Sequence, residues 1–163
     1  MSQWFDMWSV ENPAERPKLQ RPGLQQSIKI ILRVVTEEES LVPRERIFLA
    51  GISQGFATAI AAFFADTPKR FAGLIGPRSW TPAVSLLTED SEGFEATENI
   101  EIPTTYVQSP RPVVIESGYG TPIFLSRSTD DDVVPIKNGR ELRDILQSQR
   151  LEVEWREYQD GRH

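Results

Sequence analysis

Apolar and polar positions alternate along this chain in blocks of two periods. Leu24, Ile28, Ile31, Leu32 and Val35 recur at helical spacing, so a helix with one buried face is expected there. Lys29 and Arg33 fall between them and can stay wet. Glu37, Glu38 and Glu39 follow as a solvated helix end, and Pro43 stops the pattern. Ile47-Phe48-Leu49-Ala50 is a short apolar run bounded by charge and by Gly51, which predicts a buried strand. Residues 56–65 are Ala-rich and apolar nearly all round, the mark of a helix packed inside a domain. Thr67-Pro68 ends it.

Phe71-Ala72-Gly73-Leu74-Ile75 predicts a second strand and Pro122-Ile123-Phe124-Leu125 a third. Ile136, Leu142, Ile145 and Leu146 predict an amphipathic helix over 136–149, and Val153, Trp155 and Tyr158 a last strand. Residues 1–22 read as an irregular lead-in punctuated by Pro22-Gly23. Residues 82–121 read as a long surface excursion broken by Pro103, Pro110 and Pro112, with one irregular strand at 113–116. Strands alternating with helices predict an α/β fold, a mostly parallel sheet covered by helices on both faces. In such sheets function gathers in loops at the carboxyl ends of the strands. No repeat and no linker divides the chain, so residues 1–163 read as one domain.

Charge narrows the function. Eighteen basic and twenty-four acidic residues give a net charge of −6, which lacks the basic face a nucleic-acid binder needs. No apolar run approaches the ~20 residues that span a bilayer, and the first residues carry no secretory leader. The expectation is a cytoplasmic chain without stable membrane insertion. The absence of cysteine excludes a thiol nucleophile and a sulfur-built zinc site, and a single histidine excludes a multi-histidine metal site. Nothing in the sequence favours a particular oligomeric state.

The chemistry lies in Gly51-Ile52-Ser53-Gln54-Gly55, a Gly-x-Ser-x-Gly pentapeptide between a predicted strand and a predicted helix. A serine there sits on a turn sharp enough to strain its backbone and present its hydroxyl. The flanking glycines remove side chains that would collide. The Gln54 N–H, at a helix N-terminus, points to where an oxyanion would form. A serine needs a base, and His163 is the one imidazole, in a turn after the last predicted strand. The base needs a carboxylate to hold it. Asp130, Asp131 and Asp132 follow the third strand, and one of them is well placed. The order Ser, Asp, His is that of the α/β-hydrolase arrangement.

These residues resemble the acyl-protein thioesterase and lysophospholipase (phospholipase/carboxylesterase) family in a fungal-type version. The resemblance rests on Gln3-Trp4-Phe5-Asp6, the stretch 47–55, Phe71-Ala72-Gly73-Leu74-Ile75 leading to Ser79-Trp80-Thr81-Pro82, Asp131-Asp132-Val133-Val134-Pro135, and Tyr158-Gln159-Asp160-Gly161-Arg162-His163. It implies an α/β-hydrolase fold. It implies Asp131 as the acid, four residues before the loop proline, with Ser53 as nucleophile, His163 as base and Gln54 as one oxyanion donor. Phe56 and Trp80 are expected to face the acyl chain. The implied reaction is hydrolysis of a small acyl ester or an S-acylated protein, with no cofactor.

Two departures stand out. The family's His-Gly pair before the acid loop is replaced by Arg127 and Ser128. Its N-terminal strands and second oxyanion loop, and its closing helix past the histidine, have no counterpart here, so the chain reads as part of a hydrolase domain. A catalytically impaired remnant that binds acyl ligands or a partner is the alternative. A dienelactone-hydrolase-like enzyme is a weaker one, since those usually carry cysteine at the elbow.

Overall fold

The computed structural model describes residues 3–66, 70–82, 120–159 and 161. Among them four parallel strands form one sheet in sequence order: β1 Phe48–Ala50, β2 Gly73–Pro77, β3 Ile123–Ser128 and β4 Val153–Tyr158. Among the described residues three α-helices accompany them: α1 Pro17–Glu39, α2 Gln54–Ala65 and α3 Ile136–Ser148. The parallel sheet and the alternation of elements are those expected from the sequence.

The register explains the core. Leu49 pairs with Leu74, Leu74 with Ile123, and Ile123 with Val153. This row crosses the sheet on one face, and Phe56, Ile60 and Phe63 of α2 and Leu142 and Leu146 of α3 pack on it. Among the described residues the helices touching the sheet lie on that face, and α1 packs on α2. The opposite face carries Phe48 and Ile75, both exposed. No helix among the described residues is long and apolar enough to cross a membrane.

One element runs longer than its pattern. The helix expected over 24–35 begins at Pro17 and passes through Pro22-Gly23. Pro17 occupies the first turn, where a missing N–H costs nothing. Pro22 forfeits one hydrogen bond, but tertiary contact compensates. A Cβ on Gly23 would stand 2.9 Å from the Phe5 Cα, so the lead-in backbone lies directly on the helix there. Leu24 is buried in the same cluster as Phe5 and Trp80, and the Ser27 hydroxyl donates to the Trp4 carbonyl. Of the excursion expected over 82–121, residues 83–119, with the strand at 113–116, lie outside the described residues.

The α2–sheet contact has no slack. A Cβ on Gly76 would meet the Phe56 ring at 2.5 Å, and Phe56 is wholly buried. Gly76→Ala is expected to lower stability by about 1–3 kcal/mol through overpacking, read as a lower midpoint in urea denaturation followed by circular dichroism.

Candidate active site

The carboxyl end of β1 turns into α2 within three residues. Ser53 is at the turn, with φ 52° and ψ −122°. A non-glycine residue in this region carries strain of order 1–3 kcal/mol. The surroundings enforce it. A Cβ on Gly51 would lie 2.5 Å from the Gly55 carbonyl carbon and 2.5 Å from the Phe56 nitrogen, so only glycine lets α2 start this close to the strand. Gly55 is less constrained: its Cβ would meet Trp4 Nε1 at 3.4 Å. The Ser53 carbonyl accepts from the Phe56 and Ala57 amides, 3.1 Å each. Gln54 follows as the first residue of α2, where helical N–H groups have no intrahelical acceptor. Its side chain is engaged elsewhere. Nε2 donates to the Phe5 carbonyl at 2.8 Å, and Oε1 accepts from the Trp4 amide at 3.0 Å.

The register carries the elbow across the sheet. Ala50 pairs with Ile75, and Pro77 with Ser126. Beyond the paired ends the ladder continues: the Ser53 amide donates to the Pro77 carbonyl at 3.3 Å and the Arg78 amide to the Ser126 carbonyl. Ser53, Arg78 and Arg127 therefore stand side by side on adjacent strand ends.

Asp131 lies in the loop after β3. Its Oδ1 accepts from the Val133 and Val134 amides, both at 3.0 Å, which fixes the carboxylate against its own turn. Its Oδ2 faces Arg127 Nη2 at 3.3 Å, and both side chains are 0% exposed. Arg127 also donates from Nη1 to the Ser79 carbonyl at 2.9 Å and from Nη2 to the Val134 carbonyl. Burial pushes the Arg127 guanidinium below its ordinary pKa; Asp131 opposes that shift, and neighbouring Arg78 adds to it. The sequence marks Arg127 as a departure from the family pair, and the structure makes it the buried partner of the expected acid.

Asp130 plays a different part. Ser128 Oγ donates to its Oδ1, and the Gly161 amide donates to its Oδ2 at 3.4 Å. The Gly161 carbonyl accepts from Arg78 Nη2, also at 3.4 Å. The turn that leads toward His163 is thus held on both sides at Gly161. His163 itself lies outside the described residues.

The remaining expected residues are placed in the core. Phe56 is 0% and Trp80 1% exposed; Trp80 packs edge-on against Phe5, with ring centroids 6.0 Å apart. Neither lines the groove of about 390 Å³ that opens beside Ile52 at these strand ends. Trp4 is the residue that sequence reasoning gave no role. It is 44% exposed and flanks Gly55. Its signal was the Gln3-Trp4-Phe5-Asp6 motif, but only the fold brings it to the elbow. Among the described residues no group of acidic or histidine side chains could hold a metal ion.

The family model described as the prolyl oligopeptidase family matches residues 20–163. Acyl-protein thioesterase 1 of Gibberella zeae is 24% identical over 161 residues, 97% of this chain and 59% of the relative. Acyl-protein thioesterase 1 homolog 1 of Dictyostelium discoideum is 28% identical over 91 residues, 56% of this chain and 40% of the relative. The chain thus spans about half the length of the curated relatives it matches. Arabidopsis thaliana SOBER1 superposes with a TM-score of 0.72 at 21% identity, covering 100% of this chain and 66% of that one. Zea mays acyl-protein thioesterase 2 superposes with a TM-score of 0.61 at 20% identity, covering 99% and 64%. The fold is that of the α/β hydrolases, and the relatives include the acyl-protein thioesterases that the motifs resemble.

The Arg127–Asp131 pair makes a stability prediction. Arg127→Met leaves a buried carboxylate without its cation and is expected to cost about 3–5 kcal/mol. Adding Asp131→Asn should recover part of that loss, so urea midpoints should place the double variant above Arg127→Met alone.

Proposed function

This chain belongs to the prolyl oligopeptidase family, and from that premise we propose that it carries the catalytic segment of a serine hydrolase for acyl thioesters or carboxylic esters. The observation that carries the reading is the backbone of Ser53, strained at φ 52° and ψ −122° between strand and helix. Such an elbow lifts the hydroxyl clear of the sheet edge. The names of the relatives, acyl-protein thioesterases, point to the substrate: a small acyl ester or an S-acylated protein.

In this reading Ser53 Oγ attacks the acyl carbonyl while His163 takes its proton. The carbonyl oxygen becomes an oxyanion beside the Gln54 N–H at the start of α2. The tetrahedral intermediate collapses, the C–S or C–O bond breaks, and His163 passes the proton to the leaving thiol or alcohol. Water, deprotonated by His163, then attacks the acyl-serine, the acyl C–Oγ bond breaks, and His163 returns the proton to Ser53 Oγ as the carboxylic acid leaves. Asp131 holds the imidazole and stabilises its cation. Phe56 and Trp80, packed in the core, back the acyl pocket rather than form its open wall.

One observation favours a second reading, a catalytically impaired relative that binds acyl ligands. Asp131 Oδ2 already faces Arg127 at 3.3 Å, and a base histidine must share that carboxylate.

A fluorophosphonate probe separates the two. Labelling of the chain that vanishes in Ser53→Ala supports the hydrolase, and absence of labelling in a chain folded by circular dichroism supports the impaired relative. Asp131→Asn is expected to lower kcat by about 10⁴-fold on a short-chain thioester while leaving Ser53 in place.

A further inference from the structure

Arg78 stands directly beside the nucleophile. Arg78 is one residue past the end of β2 and Ser53 three past the end of β1, and the Ser53 amide donates to the Pro77 carbonyl at 3.3 Å. Neighbouring parallel strands lie about 4.8 Å apart, so the two side chains start from adjacent points on the same rim. Arg78 is half-buried and lines the groove of about 390 Å³ together with Ile52, Ser126, Ser128 and Tyr158.

Its guanidinium is under-used. A guanidinium carries five N–H donors in a planar fork. Among the described residues Arg78 makes one side-chain hydrogen bond, a long one of 3.4 Å from Nη2 to the Gly161 carbonyl. No described carboxylate forms an ion pair with it. The nearby acids are held by other groups: Asp131 by Arg127 and its own loop amides, Glu157 by Arg140 and Trp155, and Asp130 by Ser128 and the Gly161 amide. Arg127, the register neighbour of Arg78 on β3, has its charge matched by Asp131 at 3.3 Å, so it does not compete for a ligand of Arg78. The Arg78 backbone is itself left-handed, φ 56°, a conformation that costs about 1–2 kcal/mol outside glycine.

We propose that Arg78 is an anion-binding residue beside Ser53, so that the substrate is an acyl ester or thioester carrying a carboxylate or phosphate close to the scissile bond. A carboxylate or phosphate can take two parallel N–H bonds from an arginine fork, which a neutral acyl chain cannot. The proposal rests on the reading of Ser53 as a nucleophile, and its test is built to fail separately from that reading.

Two substrate pairs locate the anion. Succinyl and butyryl thioesters of one thiol place it on the acyl side; butyryl esters of glycerol 3-phosphate and of glycerol place it on the leaving-group side. The readout is the ratio of kcat/KM, anionic over neutral, for the native chain, Arg78→Met and Arg78→Lys. In one pair the native ratio should exceed unity and fall about ten-fold in Arg78→Met, the scale of one charge-assisted hydrogen bond. Arg78→Lys should keep part of it, and added salt should shrink it. Equal ratios in the native chain and Arg78→Met on both pairs, with probe labelling of Ser53 intact, overturn the anion site and leave the hydrolase standing. If labelling and turnover both fail, calorimetric titration of Ser53→Ala with monomethyl succinate and glycerol 3-phosphate decides. A ten-fold weaker Kd on adding Arg78→Met supports the anion site alone, and unchanged or absent binding of both compounds overturns it.

Discussion

Gly51 and the first turn of α2 meet backbone against backbone, with no room for a single methyl group between them. This contact sets the rest of the sheet's working end. It makes the helix begin as the strand stops, which forces Ser53 into a positive φ. It brings Phe56 down onto Gly76, locking α2 over β1 and β2. The parallel ladder then lays the strand ends out in a row, Ser53 beside Arg78 beside Arg127. Local strain at one residue is held by packing that extends across the sheet.

Electrostatics at that rim is divided between two layers. The deeper layer is buried. Arg127 and Asp131 face one another with no exposure, and they hydrogen-bond the carbonyls of Ser79 and Val134 and the amides of the acid loop. The outer layer is open. Asp130 and Arg78 take the amide and carbonyl of Gly161 from opposite sides, at 3.4 Å each. Buried pairs of the first kind give rigidity more than net stability. The two bonds to Gly161 are long, and one of them is exposed, whereas the acid loop is fixed by 3.0 Å bonds to its own amides.

The sheet was readable because its signals are local. Short apolar runs such as 47–50 and 122–125 mark strands whatever surrounds them, and Gly51-Ile52-Ser53-Gln54-Gly55 sits at a strand–helix junction that its flanks announce. Helix α1 was read short because the signal that overrides Pro22-Gly23 is tertiary: Phe5 lying on Gly23. The roles of the arginines were hidden for a related reason. Register across a parallel sheet joins residues 25 and 49 positions apart, and nothing near Arg78 in the sequence announces Ser53 as its neighbour. Arg127 could be singled out only as an exception to a motif; its burial and its partner belong to the fold. Phe56 and Trp80 show the converse. Large aromatic side chains near a candidate nucleophile read as pocket walls, but Gly76 and Phe5 take them into the core.

The strained turn has a consequence for how this chain can change. At position 53 glycine would adopt the observed backbone freely, and serine does so at a cost. The residue that relaxes this backbone and the residue the proposed chemistry uses are therefore different residues. On the proposed reading, a protein optimised here for folding alone would drift toward a residue with no hydroxyl. Thermodynamic robustness and the proposed chemistry then pull in opposite directions at a single φ angle, and every other contact around the elbow has to be tight enough to absorb the difference.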